Sequence, residues 1–226
     1  DSSTDDAEYD GLSPYGYQVV RRMNELGMLV DVSHASNATV DDVLNHTTAP
    51  VIASHSCARA LCDHPRNIND ALITRIAAGG GVIQMCLYSE YVVPDPPNPD
   101  RDSARAALKE KWGDSYELQG DQKLQYRAEK NEMDRKHPQI LPSVADLVNH
   151  IDHIVALVGI DHVGIGTDFD GGAGLSDCFD VSELPNITRE LFKRGYSKAD
   201  VIKIWSGNLL RVFKDVERLS HTKTTG

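Results

Sequence analysis

The sequence of 226 residues contains no apolar run that approaches the roughly 18 residues needed to cross a bilayer. It has only four cysteines and no Cys-x-x-Cys pair, which argues against a disulfide scaffold. It also lacks a glycine-rich phosphate loop and any basic excess, since the formal net charge is -11. These absences argue against nucleic acid or an anionic membrane as the main partner.

The N-terminus carries no recognisable targeting signal. Residues 1–6 are polar and acidic, so they do not predict a signal peptide, and the chain does not begin with Met. We therefore expect an internal start within a longer protein, set by processing or by choice of boundary. The compartment is not indicated.

Short apolar strands alternate with amphipathic helices along the chain. Buried strands are predicted at 28–34, 50–55, 81–88 and 161–168, each followed by a helical pattern. Ser13-Pro14 and the pair Ser197 and Asp200 predict helix starts, the second as a capping box. Strands covered by helices favour α/β architecture. Four units cannot close an eight-stranded barrel, so the sheet is either open or completed elsewhere.

Residues 92–142 interrupt this alternation. The proline-rich segment 93–99 is incompatible with a central strand, and the charged segment 101–137 has helical spacing at Ala104, Leu108 and Trp112. We expect an insertion that packs over the barrel or a partner, or else a solvated excursion. The tail from Ser220 is expected to be disordered.

Three ionisable side chains each end a predicted strand: His34, His55 and Asp168. The carboxyl ends of parallel strands meet at one rim, where the active sites of TIM barrels lie. Two imidazoles and a carboxylate at such a rim favour a metal-assisted hydrolase. The alternative is that each is an ordinary hydrogen-bonded core or cap residue.

Several short motifs, in order and at matching spacing, resemble those of the membrane (renal-type) dipeptidase family of zinc metallopeptidases. The resemblance covers nearly the whole chain except the insertion. The motifs occupy residues 11–16, 24–34, 49–56, 66–67, 164–171 and 207–213.

The resemblance implies a fold, a reaction and residue roles. The fold would be the C-terminal half of one TIM-barrel catalytic domain spanning 1–226. His34 and His55 would bind one zinc of a pair, and Asp168 would handle the proton given to the leaving amine. Arg66 would hold the carboxylate of a dipeptide substrate, and Tyr91 falls where the family has an active-site tyrosine. Substrates would include dipeptides with a C-terminal D-residue.

The family's other ligands precede the region that this chain covers. They are a His-x-Asp motif, a bridging glutamate and a later substrate-contacting histidine. We therefore predict that the binuclear zinc site needs an N-terminal half-barrel chain or segment. Two alternatives stay open: a TIM-barrel amidohydrolase acting on another small amide or ester, and a non-catalytic half-barrel that assembles with a partner. A homo-oligomer is also possible.

Other residues are given structural interpretations. His150 and His153, three apart on a predicted helix, are interpreted as surface histidines. Gly164 and Gly166 are expected to let the fourth strand approach its neighbours. Asp170 is expected to be structural or to support a ligand. No role is predicted for the remaining histidines at 46, 64, 137, 162 and 221.

Overall fold

The computed structural model describes the backbone of residues 1–221 and the side chains up to residue 219. The last helix reaches His221, so the first two residues of the tail predicted to be disordered are helical. The rest of that tail lies outside the described part of the chain. The chain divides into two compact units. One combines residues 1–94 with the chain from 142 onward, and the other is 95–141.

The larger unit is built on four parallel strands that neighbour one another in chain order. The four predicted strands are thus confirmed, although each is shorter than its apolar run. The strands are β1 (Val30–Asp31), β2 (Val51–Ala53), β3 (Val82–Cys86) and β4 (Val163–Thr167).

Helices follow every strand, as the alternation predicts. Ser13 accepts a hydrogen bond from the Gly16 N–H at 3.0 Å, and the predicted capping box of Ser197 and Asp200 is present. The helices are α1 (Pro14–Leu26), α2 (Asn37–His46), α3 (Asp70–Ala78), α4 (Ser89–Val92), α5 (Pro99–Trp112), α6 (Gly120–Lys136), α7 (Val144–Val158), α8 (Pro185–Lys193), α9 (Lys198–Ile202) and α10 (Asn208–His221). None of these helices is both long and apolar enough to cross a membrane.

The core lies between the sheet and the helices that cover it. All five residues of β3 are buried, as expected for a central strand of a parallel sheet. The helices α3 and α7 contribute five fully buried side chains to this core: Ile73, Ile76, Leu147, Ile151 and Ile154. The four cysteines are free and buried, and they pack as small apolar side chains.

The smaller unit consists of α5 and α6, so the helical spacing at Ala104, Leu108 and Trp112 is confirmed. No residue of α5 is buried, and polar pairs link the two helices. Arg101 contacts Asp134 at 2.7 Å, and the Trp112 indole N–H donates to Glu129 at 3.0 Å. Its place in the domain organisation stays a prediction.

The interpretation of His150 as a surface histidine is wrong. Its ring is fully buried; Nδ1 accepts from the Ala58 N–H at 3.1 Å, and Nε2 donates to the Val92 carbonyl at 2.8 Å. The sequence placed it on a helix face but could not show that the loop at Ala58 and the short helix α4 cover that face. His153 is partly exposed and bonds Asp70 at 2.8 Å.

Burial lowers the pKa of His150 below the usual 6.5, with a smaller contribution in the same direction from His153 and opposing ones from the Val92 carbonyl and Asp146. The unfolded chain therefore binds a proton at pH values where the folded protein does not. Stability from this site is complete above pH 6.5 and is lost as pH falls toward the lowered pKa.

We expect His150→Gln, which keeps a donor and an acceptor but does not titrate, to flatten the acid side of the stability profile. Urea unfolding of both proteins at several pH values below about 6.5 measures the effect. As pH falls, the free energy of unfolding of the wild type should decrease more than that of the variant. Parallel profiles would show that His150 does not contribute in this way.

Candidate active site

The carboxyl edge of the sheet brings the two predicted histidines together. His34 follows β1 and His55 follows β2, and their ring centroids lie 4.9 Å apart in an edge-to-face arrangement. Burial lowers the pKa of His34, and the nearby Arg66 and His55 act in the same direction. The ring of His34 is thus favoured in its neutral form, which is the form that binds metals.

The backbone of this edge is strained. His34, Thr167 and Asp168 have left-handed φ values of 70°, 44° and 79°, and among the described residues Asp10 is the only other non-glycine with a positive φ. Such conformations are unfavourable for residues with a Cβ, and they persist where surrounding structure enforces them. Such clustering at the ends of β1 and β4 is typical of functional sites.

Arg66 is a nearly buried cation with few partners. The residue is 4% exposed, and its Nη2 donates a long hydrogen bond of 3.5 Å to the His55 carbonyl. Nε has no hydrogen-bond partner within the described residues. A buried donor without a partner is costly, and a guanidinium with a free N–H can form a charge-assisted hydrogen bond to an added carboxylate.

Tyr91 lies beside this guanidinium, with its ring centroid 5.4 Å from the Arg66 Cζ. Burial raises the pKa of Tyr91, while the adjacent cation opposes this shift. Asn67 ties the two segments together, because its amide donates to the carbonyls of Tyr91 at 2.8 Å and of Cys62 at 2.9 Å. The sequence interpretation did not identify this tie, although Asn67 stands next to Arg66 in the same motif.

Asp168 is held at the end of β4 by its own turn. The Gly171 and Ala173 N–H groups donate to its carbonyl, each at 3.1 Å. A Cβ on Gly171 would lie 2.4 Å from the Asp168 Oδ1, so only glycine leaves room for the carboxylate. The Cys86 thiol contacts Oδ2 at 3.6 Å, and burial raises the pKa of Cys86 to about 12. Cys86 is therefore a protonated donor to Asp168.

The interpretation of Gly166 as a close-approach position is confirmed. A Cβ there would come within 2.0 Å of the Ser54 carbonyl oxygen, and one on Gly164 would lie 3.2 Å from the Gln84 Oε1. Any side chain at 166 would therefore push β4 away from the end of β2. This approach lets His55 and Asp168 line one open cavity of about 440 Å³, together with Asp170.

The structure thus brings the predicted residues together in two overlapping groups. His55 is the shared member: it contacts His34 and Arg66, and it lines the same cavity as Asp168. No cluster of three or more metal-ligating side chains occurs within the described residues, so the two imidazoles alone do not complete a metal site.

Comparison with known proteins places this geometry in a family. The model of the membrane dipeptidase family, peptidase family M19, matches residues 1–225. Dipeptidase aclJ of Aspergillus oryzae is 35% identical over 219 residues, which cover 96% of this chain and 42% of that protein. Dipeptidase tcpJ of Claviceps purpurea is 33% identical, with 96% and 41% covered.

Solved structures agree on the fold. The probable dipeptidase PvdM from Pseudomonas aeruginosa is 36% identical with a TM-score of 0.79, covering 97% of this chain and 60% of that one. A metallo peptidase from Rhodobacter sphaeroides, liganded with a phosphinate mimic of L-Ala-D-Ala, has a TM-score of 0.68 at 23% identity, covering 96% and 49%. The predicted TIM-barrel class is confirmed, with the four strand–helix units forming part of a barrel.

This chain spans about two fifths of the length of these two curated relatives. The match nonetheless runs through every motif at the carboxyl edge of the sheet, from the His34 segment to the Asp168 turn. On the family match and these relatives together, the chain belongs to the membrane dipeptidase family, peptidase family M19.

Proposed function

We propose that this chain supplies half of the active site of a zinc-dependent dipeptidase, which hydrolyses the peptide bond of dipeptides, including those with a C-terminal D-residue. The observation that carries the proposal is the buried Arg66, whose Nε has no partner beside the paired histidines. The Rhodobacter neighbour, crystallised with a mimic of L-Ala-D-Ala, supports the D-residue.

Arg66 would bind the free carboxylate of the substrate. A planar guanidinium can hold a carboxylate through two parallel N–H···O bonds, and burial strengthens such bonds. Tyr91, next to the guanidinium, would line the same pocket. A site that clamps a terminal carboxylate close to the reacting centre accepts short substrates, and this favours an exopeptidase acting on dipeptides.

His34 and His55 would hold one zinc ion of a pair. Imidazole nitrogen is a common zinc ligand, and the facing rings and the neutral form favoured at His34 fit this role. The remaining ligands would come from the rest of the barrel. When bound, a zinc pair polarises the scissile carbonyl and lowers the pKa of a bound water.

Asp168 would transfer a proton to the departing amine. Its carboxylate is fixed by the turn over Gly171 and by the Cys86 thiol, so it faces the cavity that His55 also lines. A fixed carboxylate near the scissile bond can accept a proton from the attacking water and pass it to the leaving group.

The missing half of the barrel is the proposed partner, either as another segment of the same protein or as a separate chain. Each outer strand, β1 and β4, has no strand neighbour on one side within the described residues. Apolar side chains of α1 and α10 are exposed beside them, including Leu26 at 53% and Phe213 at 47%. Unpaired edges and exposed apolar helix faces favour association.

Two alternatives make different predictions. An amidohydrolase acting on another small amide or ester would not need a carboxylate clamp, so its turnover would not depend on Arg66. A non-catalytic half-barrel would assemble with a partner or with itself but would bind no zinc. The dipeptidase is favoured because Arg66 is buried without an anionic partner in the described chain.

We expect Arg66→Ala to raise the KM for dipeptides roughly 10- to 100-fold, since it removes a charge-assisted clamp. The same dipeptides with an amidated C-terminus should be poor substrates of the wild type. Their turnover should fall little further in the variant. Steady-state kinetics of the complete enzyme on both substrate forms measures this coupling.

Arg59→Ala is the matched control, because Arg59 lies in the same loop and donates to the His64 carbonyl at 3.1 Å. It should leave the discrimination between acid and amide unchanged. If Arg66→Ala hydrolysed both forms as the wild type does, the amidohydrolase alternative would replace the dipeptidase.

Asp168→Asn should lower kcat roughly 10²- to 10⁴-fold with little change in KM, since the carboxamide cannot carry the proton. Asp170→Asn, two residues away in the same turn, is the control and should stay within a few-fold of wild type. Circular dichroism would verify that both variants fold. Equal losses in the two variants would argue against a proton-transfer role specific to Asp168.

The 226-residue chain alone should hold less than one zinc per molecule and should self-associate through its exposed faces. Adding the N-terminal half should raise the content to about two zinc ions per barrel. Plasma mass spectrometry and analytical ultracentrifugation measure the two quantities. A stable, active monomer of this chain alone would refute the proposed need for a partner half.

A further inference from the structure

The side chain of His55 ends a hydrogen-bonded chain that begins on the neighbouring strand. Its Nδ1 lies 2.7 Å from the Ser54 Oγ, and that hydroxyl donates to the Asp31 Oδ2 at 2.5 Å. The three residues therefore form a carboxylate–hydroxyl–imidazole series across the ends of β1 and β2. Neither Asp31 nor Ser54 was identified as a site residue from the sequence.

The Asp31 carboxylate is fixed from both strands. Its Oδ1 accepts two backbone hydrogen bonds at 3.0 Å, one from the Ser33 N–H and one from the Ser54 N–H. Oδ2 is then left to face the Ser54 hydroxyl. Because a carboxylate only accepts hydrogen bonds, the Ser54 proton must point toward Asp31.

The direction of this series determines which nitrogen of His55 carries the proton. The Ser54 hydroxyl has a single proton, and it is used toward Asp31. Its oxygen can then only accept from the ring, so Nδ1 is the protonated nitrogen. Nε2 is left with a free lone pair, which is what a metal ligand requires.

We propose that Asp31 and Ser54 are positioning residues that fix the tautomer and orientation of His55 so that Nε2 faces the metal. The metal part rests on the proposed function, whereas the tautomer is a property of the chain's own hydrogen bonds. Ser33 contributes differently, because its Oγ accepts the His55 backbone N–H at 3.0 Å and does not touch the ring.

Asp31→Asn is the sharpest test, because it preserves shape and reverses one hydrogen bond. The asparagine oxygen should keep the two backbone N–H groups, which places its NH₂ toward the Ser54 Oγ. Ser54 then accepts from the amide and donates to the ring, so His55 should change to the Nε2–H tautomer. Ser54→Ala should leave a mixture, and Ser54→Thr should restore the wild-type tautomer.

Two measurements on the complete enzyme test the proposal. Nitrogen-15 spectra of histidine-labelled, metal-free protein at about pH 8 report the His55 tautomer directly. Competition with a zinc chelator reports affinity, which should fall roughly 10- to 100-fold in Asp31→Asn and Ser54→Ala. Ser54→Thr and the control Ser33→Ala should stay within about threefold of wild type, because neither removes the hydroxyl that bonds the His55 ring.

The outcomes separate this inference from the proposed function. If Asp31→Asn and Ser54→Ala keep the wild-type tautomer and zinc affinity, the inference fails and zinc hydrolysis is unaffected. If the wild type binds no zinc, the proposed function fails, and the tautomer spectra still decide whether Asp31 and Ser54 orient the ring. If Ser33→Ala lost as much zinc affinity as the other variants, the effects of Asp31 and Ser54 would reflect local packing and not the orientation of the His55 ring.

Discussion

The site depends on the register in which β1 pairs with β2. Val30 lies opposite Val51, and Asp31 lies opposite Ile52, an offset of 21 positions. The same offset separates His34 from His55, so the two histidines leave their strands at equivalent points. A slip of one residue would turn alternate side chains to the opposite face and would separate the rings.

The same register explains the polar contacts around the rings. With the strands aligned, the Asp31 carboxylate reaches backbone N–H groups on both, and the Ser33 hydroxyl reaches the backbone of His55. These side-chain hydrogen bonds continue the link between the two chain segments beyond the point where the short strands β1 and β2 end.

The sequence predicted those features that depend on local pattern. Strand runs, helix caps and the placement of His34, His55 and Asp168 at strand ends follow from apolar periodicity and from the common direction of parallel strands. The predicted strands were too long because an apolar run does not show where the ladder ends. The interpretation of His150 was wrong because its partners, Ala58 and Val92, lie far away in the sequence.

The contacts that arrange the site could not be predicted for the same reason. The chain from Asp31 through Ser54 to His55 joins residues on different strands, and its hydrogen-bond direction depends on which oxygen of Asp31 the backbone occupies. The contact of Cys86 with Asp168 joins residues 82 positions apart. Cys86 lies in the apolar run 81–88, and nothing in that run indicates a carboxylate neighbour.

Buried hydrogen bonds between chain segments connect the stability of the fold to the position of Arg66. His150 bonds the loop that begins at Ala58 and the turn at Val92, and Asn67 bonds that same loop to Tyr91. Arg66 lies in the same loop as these ties, and with Nε unpartnered its guanidinium depends on them for its position. Losing either tie would therefore loosen Arg66, the proposed carboxylate clamp, while the packing of β3 against α7 remains, so this loop would loosen before the protein unfolds.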